Sequence, residues 1–369
     1  MSLDRNGSTP ARRPLGIGAI GLGYWGPNLL RVLVDDADVV VRWICDRDEE
    51  RLARFHRRYP ATRPTTRLED VLEDPAVDAV VVATPVFTHF DLAHASLAAG
   101  KHTFVEKPLA PSCRLADELI AFAHRVDRVL MCGHTFLYSP PVRAIKRLLD
   151  EGTLGELYFV SASRVNLGPY RRDVSVVWDL APHDFSVLLN WFGEAPATLR
   201  ATGRAALASG IADVAFITMT FASGVVANVE LSWLAPGKLR RTVLVGSEKM
   251  IVYDDGSAEP VRVFDQGIVL GEPESFGQYH LSYRTGDIVS PRIESSEPLV
   301  AELADFVRAI RSGDRLDANV RVAREVVRMT EAAELSLNSG GEAISLNGAG
   351  SVSALPVQPE DPAMREPAA

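Results

Sequence analysis

The sequence predicts an α/β chain. An N-terminal doubly wound parallel sheet is followed by an α+β unit built on a large, mainly antiparallel sheet. Three observations predict it. Strand-like apolar runs alternate with helical patterns as far as about residue 150, which is the signature of a parallel sheet covered by helices on both faces. The character changes after Gly152, where longer strand patterns follow one another with few helices between. Gly21, Gly23 and Gly26 form G-x-G-x-x-G between a strand pattern and a helix pattern.

The elements follow in order. Residues 15–20 are an apolar run and read as a buried strand, and Trp25, Leu29, Leu30 and Leu33 then recur at helical spacing. Between them Gly21 permits the tight turn, Gly23 lets backbone approach a pyrophosphate, and Gly26 lets helix lie close to strand. The free N–H groups at the helix start face that anion. The reading is a dinucleotide-binding fold of the Rossmann kind.

Residues 39–44 are the second strand, and Asp46 follows, twenty residues beyond Gly26. A carboxylate there accepts from the adenosine ribose hydroxyls and favours NAD over NADP. A second reading makes Asp46 the cap of the helix over 47–58. Arg47 keeps NADP open, because an arginine can hold a 2′-phosphate. Residues 78–83 are a β-branched strand, 88–99 a helix closed by Gly100, 102–105 a strand, 111–126 a helix and 129–132 a strand.

In the second unit, strands are expected over 156–166, 211–221, 225–233, 241–245 and 250–254. Ala222-Ser-Gly224, Pro236-Gly237 and Asp255-Gly256 mark turns. A helix over 182–192 precedes most of them, and helices over 298–311 and 319–337 follow. The domains are therefore a disordered 1–13, a dinucleotide domain 14–140, a substrate and oligomerisation domain 141–338, and a disordered tail 339–369 rich in Gly, Ala, Pro, Ser and Glu.

Composition narrows the class. The 369 residues are 47% hydrophobic and 24% charged, with 39 basic against 48 acidic residues and net charge -9. That balance argues against a nucleic-acid partner. Cys45, Cys113 and Cys132 have no metal or redox spacing, so no metal is expected. The polar start has no apolar core for a signal or a membrane span. A cytoplasmic enzyme with a small-molecule substrate is the simplest reading.

Two clusters carry chemistry. Phe104-Val-Glu106-Lys107-Pro108 ends a predicted strand, where open α/β sheets bind ligands, and Pro108 suits a cis bond in the turn. The bland reading is an exposed turn with an ion pair. The second cluster is Trp178-Asp179-Leu-Ala-Pro182-His183. Pro182 suits the first turn of a helix, which puts Asp179 just before it and His183 at its opening. Four residues apart, the two side chains can lie together, and a carboxylate beside an imidazole suits proton transfer. Its bland reading is a helix cap and a structural histidine.

Together these clusters resemble the glucose–fructose oxidoreductase / inositol dehydrogenase (Gfo/Idh/MocA) family over residues 14–338, with Thr84-Pro85, Thr88-His89 and Gly100-Lys101 adding to the match. The resemblance implies hydride transfer between a secondary alcohol and NAD, with Lys107 or His183 as proton acceptor and Asp179 orienting the histidine. It also implies Tyr24, Trp25, Thr84, Pro85, His89 and Glu106 beside the glycines along the cofactor, with Glu106 at the nicotinamide-side ribose. The runs 133–140, 165–168 and 178–183 resemble a bacterial subgroup that oxidises or reduces a ring position, commonly C3, of a nucleotide-linked sugar.

Substrate contacts are expected from Lys107, Asp179 and His183. His134 and Tyr138, after the last strand of the first domain, and Arg164, Asn166, Tyr170, Arg171 and Arg172 join them. Adjacent arginines can meet a diphosphate or a carboxylate, or can simply be solvated. Trp233 reads as sheet core. Apolar residues on both alternations of one strand (Val225, Val226, Val229, Leu231, Trp233) predict a homodimer or homotetramer. The competing functions are an inositol or free-sugar dehydrogenase and a non-catalytic dinucleotide- or sugar-binding regulator. A regulator is expected to lose the lysine or the histidine, and both are here.

Overall fold

The computed structural model describes residues 13–168, 170–208, 210–270 and 281–347. The segments assigned to disorder lie largely outside these residues. The first domain runs β1 (Leu15–Ile20), α1 (Gly26–Asp35), β2 (Val39–Cys45), α2 (Glu49–Arg58), β3 (Arg63–Thr65), α3 (Leu68–Leu72), β4 (Ala79–Val82), α4 (His89–Ala98), β5 (His102–Glu106), α5 (Cys113–Arg125) and β6 (Leu130–Gly133). Its six strands are parallel in the order β3-β2-β1-β4-β5-β6. The order reverses between β1 and β4, so a crevice opens at their carboxyl ends. β4 reads Ala-Val-Val-Val and is buried along its whole length, as a strand covered on both faces must be.

The second domain adds α6 (Pro140–Asp150), β7 (Leu157–Leu167), α7 (Val176–Phe192), β8 (Thr198–Arg204), β9 (Val214–Thr220), β10 (Val226–Ser232), β11 (Leu234–Gly246), β12 (Met250–Asp254), β13 (Val261–Leu270) and β14 (Leu281–Val289). Helices α8 (Pro298–Ser312) and α9 (Asp317–Asn338) and a short β15 (Ile344–Ser345) complete it. Nine strands form one sheet, antiparallel except where β10 runs beside β7. α7 and α9 bury its inner face, with Phe185, Leu188 and Met329 against Ile217, Val229 and Leu231.

Several expectations are corrected. The helix expected over 47–58 starts at Glu49, and its cap is Asp48, whose side chain accepts from the Arg51 N–H, so the alternative reading of Asp46 as that cap falls away. Pro182 does not open a helix but lies inside α7, which starts six residues earlier. Val176, Val177, Trp178 and Ala181 are almost wholly buried, so packing carries the helix through a residue that removes one of its hydrogen bonds. Pro236-Gly237 is not a turn. It lies in β11, at a register break opposite β7, where a bulge tolerates both residues.

The domain boundaries also move. α8, assigned to the second domain, buries Leu299, Leu303 and Phe306 in the core of the first. α9 serves both cores, and Asn319 exchanges two hydrogen bonds with the Cys132 backbone on edge strand β6. The ordered chain also outlasts residue 338, because β15 pairs with β8 and Leu346 is buried. Short β3 and α3, and strands β8, β13 and β14, carried too little periodicity to be read.

Candidate functional site

The cofactor end is set by backbone. Gly21 has φ +89°, and a Cβ there would lie 2.6 Å from the Ala83 carbonyl oxygen. A Cβ on Gly26 would lie 2.0 Å from the Gly21 oxygen. Both glycines are therefore obligatory for the close passage of turn, helix and β4. Gly23 has no atom within 4 Å of its would-be Cβ, so the outer side of the turn is open. No side chain caps α1, which leaves its first amides to another acceptor. Tyr24 and Trp25 are exposed at this rim.

Asp46 braces the same turn. Its Oδ2 accepts from the Leu22 N–H at 2.7 Å and its Oδ1 from the Asp48 N–H at 3.0 Å, with the Arg51 guanidinium 3.3 Å away. Arg47 is exposed beside it.

The proton-transfer end gathers side chains from both domains. β5 delivers Glu106 and Lys107, and Lys107-Pro108 is cis as expected. Burial pushes the Glu106 carboxyl up to about 7, against the pull of Lys107 and the Trp25 indole. Its Oε1 has no partner. Lys107 Nζ donates to the main-chain oxygen of Asp179 at 2.8 Å. Burial lowers its pKa below the usual lysine range, although Asp179 and Glu106 pull it upward.

His89 does not offer a ring nitrogen to a cofactor. Its Nδ1 is 2.8 Å from the Pro108 oxygen and its Nε2 2.8 Å from the Thr84 oxygen. A neutral imidazole donates to only one of these two carbonyls, and the buried ring sits between the end of β4 and the cis-proline turn. Thr84 lines a small cleft with Val86, Lys107, Arg171, Trp178 and Asp179, and Pro85 follows it in sequence.

Asp179 and His183 are neighbours on α7, but they are not hydrogen-bonded to each other. The Asp179 carboxylate accepts from the Trp233 indole N–H at 3.0 Å and lies 3.5 Å from the Arg171 guanidinium. The His183 ring instead meets Phe136 edge to face at 5.1 Å. Burial holds its pKa well below the usual value, reinforced by Lys107 and Arg164, so it is a neutral imidazole.

The expected substrate residues divide. His134 is buried, its Nε2 has no partner, and burial pushes its pKa down to about 3, helped by Lys107. Arg164 is buried in a two-point ion pair with Asp184, at 2.6 and 3.1 Å, and keeps one Nη1 unpartnered. Asn166 Oδ1 and the Tyr170 hydroxyl are also unpartnered. Arg171 is committed to Asp173 and Asp179, and Arg172 is exposed. Tyr138 leaves the set, because its hydroxyl donates to Asp305 on α8 at 2.7 Å.

Trp233, Phe136 and Arg240 belong to this site without having been read there. The Trp233 indole N–H is the Asp179 anchor, and Tyr170 packs edge-on against its ring at 5.6 Å. Arg164 and Arg240 lie 4.6 and 5.4 Å from the Phe136 ring. A buried tryptophan that needs a hydrogen-bond acceptor was the available signal for the first. The other two carried none.

Residues 15–134 match the family model described as "Oxidoreductase family, NAD-binding Rossmann fold", and residues 142–252 match "GFO/IDH/MocA C-terminal domain". The chain belongs to the Gfo/Idh/MocA family. Among its relatives, myo-inositol 2-dehydrogenase of Thermotoga maritima is 26% identical over 309 residues, 81% of this chain and 89% of that protein. UDP-N-acetylglucosamine 3-dehydrogenase of Acidithiobacillus ferrooxidans is 35% identical over 178 residues, 48% of this chain and 56% of that protein. GenD2 from gentamicin A biosynthesis, solved in complex with NAD, aligns at 27% identity with TM-score 0.78 over 94% of this chain and 100% of its own. This Gfo/Idh/MocA protein is thus an oxidoreductase acting on CH–OH groups, with an NAD-binding Rossmann domain. The open turn at Gly23, the uncapped start of α1 and the free Glu106 oxygen fit that coenzyme. No described helix is long and apolar enough to cross a membrane.

Proposed function

We propose that this enzyme transfers a hydride between NAD and one secondary alcohol of a nucleotide-linked sugar, oxidising C3 or reducing the 3-ketone. The observation that carries the reading is a set of buried polar atoms without a protein partner on the residues expected to meet substrate: His134 Nε2, Arg164 Nη1, Asn166 Oδ1 and the Tyr170 hydroxyl. Each such atom costs about 1–3 kcal/mol unless something bonds it. A ring with several hydroxyls meets that need, and an apolar alcohol does not. The likeness to a UDP-N-acetylglucosamine 3-dehydrogenase supports a sugar on a nucleotide, with exposed Arg172 available to a diphosphate.

NAD, when bound, supplies the hydride acceptor. Lys107 takes the hydroxyl proton. Burial lowers its pKa and so favours the neutral amine that accepts a proton, and the Asp179 carbonyl at 2.8 Å aims it. Once protonated, Lys107 is stabilised by the Asp179 carboxylate, which Trp233 and Arg171 hold in place. Neutral His183 hydrogen-bonds the reacting oxygen. In the reverse direction Lys107 returns the proton to the ketone oxygen.

A second reading, a free inositol as substrate, is favoured by the match along 89% of the Thermotoga maritima inositol enzyme. NADH formation at 340 nm with UDP-sugars, free sugars and inositols decides between them. Turnover of inositols but of no nucleotide sugar overturns the first.

We further infer a homo-oligomer in the cytoplasm. Val225, Val229, Leu231 and Trp233 prove to be buried, and of the residues first considered Val226 alone is on the open face. Phe159, paired with Val226, and Phe216 join it there, all at least 40% exposed. Exposed Val226, Phe159 and Phe216, set among the polar Asn228, Glu230 and Thr218 on the same face, suit two-fold association. A monomer in light scattering at micromolar concentration contradicts the oligomer, and activity in the membrane or secreted fraction contradicts the location.

A further inference from the structure

Two acids stand one turn apart on α8, a helix of the cofactor domain. Glu302 accepts from the Thr135 hydroxyl at 2.7 Å, and Asp305 from the Tyr138 hydroxyl at 2.7 Å. Both hydroxyls belong to the single 3-10 turn Thr135–Tyr138 that follows β6. Glu302 is 0% exposed and its Oε1 has no partner. Burial raises its pKa well above the carboxylate range, with Glu106 adding to the effect. A buried acid with one oxygen unmet is a poor source of stability, and a leucine of similar size would serve packing better.

The turn explains what the acid does. It begins next to His134, whose unpartnered Nε2 is under the influence of Lys107. It carries Phe136, which meets His183 at 5.1 Å and lies 4.6 Å from the Arg164 guanidinium. A displacement of the turn therefore moves the packing of His183 and the place of His134 together. We propose that Glu302, assisted by Asp305, is a positioning residue that clasps this turn and so sets His134 and His183 against the reacting alcohol. The proposal rests on the reading that Lys107 and His183 face that alcohol.

The test compares Glu302→Leu, Glu302→Gln, Thr135→Val and Lys107→Met, with UDP-N-acetylglucosamine and myo-inositol as probes. Glu302→Leu and Thr135→Val are each expected to lower kcat/KM for the sugar or cyclitol at least tenfold, leaving KM for NAD within twofold and the melting temperature unchanged or higher. Glu302→Gln keeps an acceptor for Thr135 and is expected to recover most of the loss. The Glu302→Leu/Thr135→Val double variant should be no worse than the poorer single one, because both cut the same link. Wild-type kcat/KM in Glu302→Leu and Thr135→Val overturns the proposal, as does an equal loss in Glu302→Gln or an additive double variant. Should Glu302→Leu not fold, Thr135→Val and Tyr138→Phe cut the clasp from the other side, with the same two outcomes. Normal turnover in Lys107→Met would overturn the underlying reading as well. Its loss there, beside unaffected clasp variants, overturns the clasp alone.

Discussion

The two ends of the cleft are built by different means. At the cofactor end the decisive parts are backbone: Gly21 at φ +89°, Gly26 against the Gly21 oxygen, and one carboxylate, Asp46, bonded to the N–H of Leu22 inside the turn. At the proton-transfer end they are side chains from separate elements: Lys107 after β5, Asp179 and His183 on α7, Trp233 at the end of β10, Arg171 on a loop and Phe136 on the turn after β6. The first end is fixed by close backbone approach. The second places Glu106, Lys107 and His183 in surroundings that displace all three pKa values. Binding by fixed geometry and chemistry by tuned groups are thus separable, and variants should separate them.

The largest expected effect is Lys107→Met, which removes the proton acceptor and should lower kcat by about 10²–10⁴-fold while NADH still binds by fluorescence titration. Equal loss of binding and turnover would erase the distinction between the ends. Trp233→Phe keeps a ring and removes the N–H held by Asp179. A hydrogen bond to a charged group is worth about 1.5–3 kcal/mol, so kcat should fall by roughly tenfold or more, again with NAD affinity intact. Wild-type kcat would mean that Asp179 needs no anchor. Gly26→Ala is the converse variant. Its Cβ must push against the Gly21 oxygen, so the dissociation constant for NADH should rise about tenfold or more, and saturating coenzyme should restore much of the turnover. Asp46→Ser should move the NADP-to-NAD ratio of kcat/KM toward NADP by roughly tenfold, since it removes one like-charge repulsion. An unchanged ratio would assign coenzyme choice elsewhere.

This contrast also explains what the sequence made legible. The glycine turn, Asp46 and Glu106-Lys107-Pro108 are contiguous motifs on strand ends, so their positions follow from local pattern alone. Asp179 and His183 were legible as neighbours because i,i+4 spacing survives a misplaced helix start. Their relation was not, because the Asp179 partners Trp233 and Arg171 come from other elements. A hydrogen bond across the fold leaves no periodicity. Tyr138 and His89 show the same limit. Each stands near the cleft in sequence order, yet each spends its polar atoms on a buried neighbour, Asp305 or the carbonyls of Thr84 and Pro108. Pro182 misled in another way: local propensity marked a helix start where the burial of Val176, Val177 and Trp178 had already decided one.

The central claim is that one tuned lysine carries the proton in both directions, and the pH dependence of kcat tests it most directly. Lys107 must be neutral to accept the alcohol proton and protonated to return it. Its folded pKa is lowered by burial, so the oxidation rate should rise with pH through a midpoint below the ordinary lysine value, and the reduction rate should fall over the same range. Removing the Arg171 cation, which holds that pKa down, should move both limbs to higher pH. In His183→Asn the opposed limbs should persist at reduced rates. Limbs that run parallel in the two directions while hydride transfer limits the rate, or a titration that vanishes in His183→Asn, would contradict the claim.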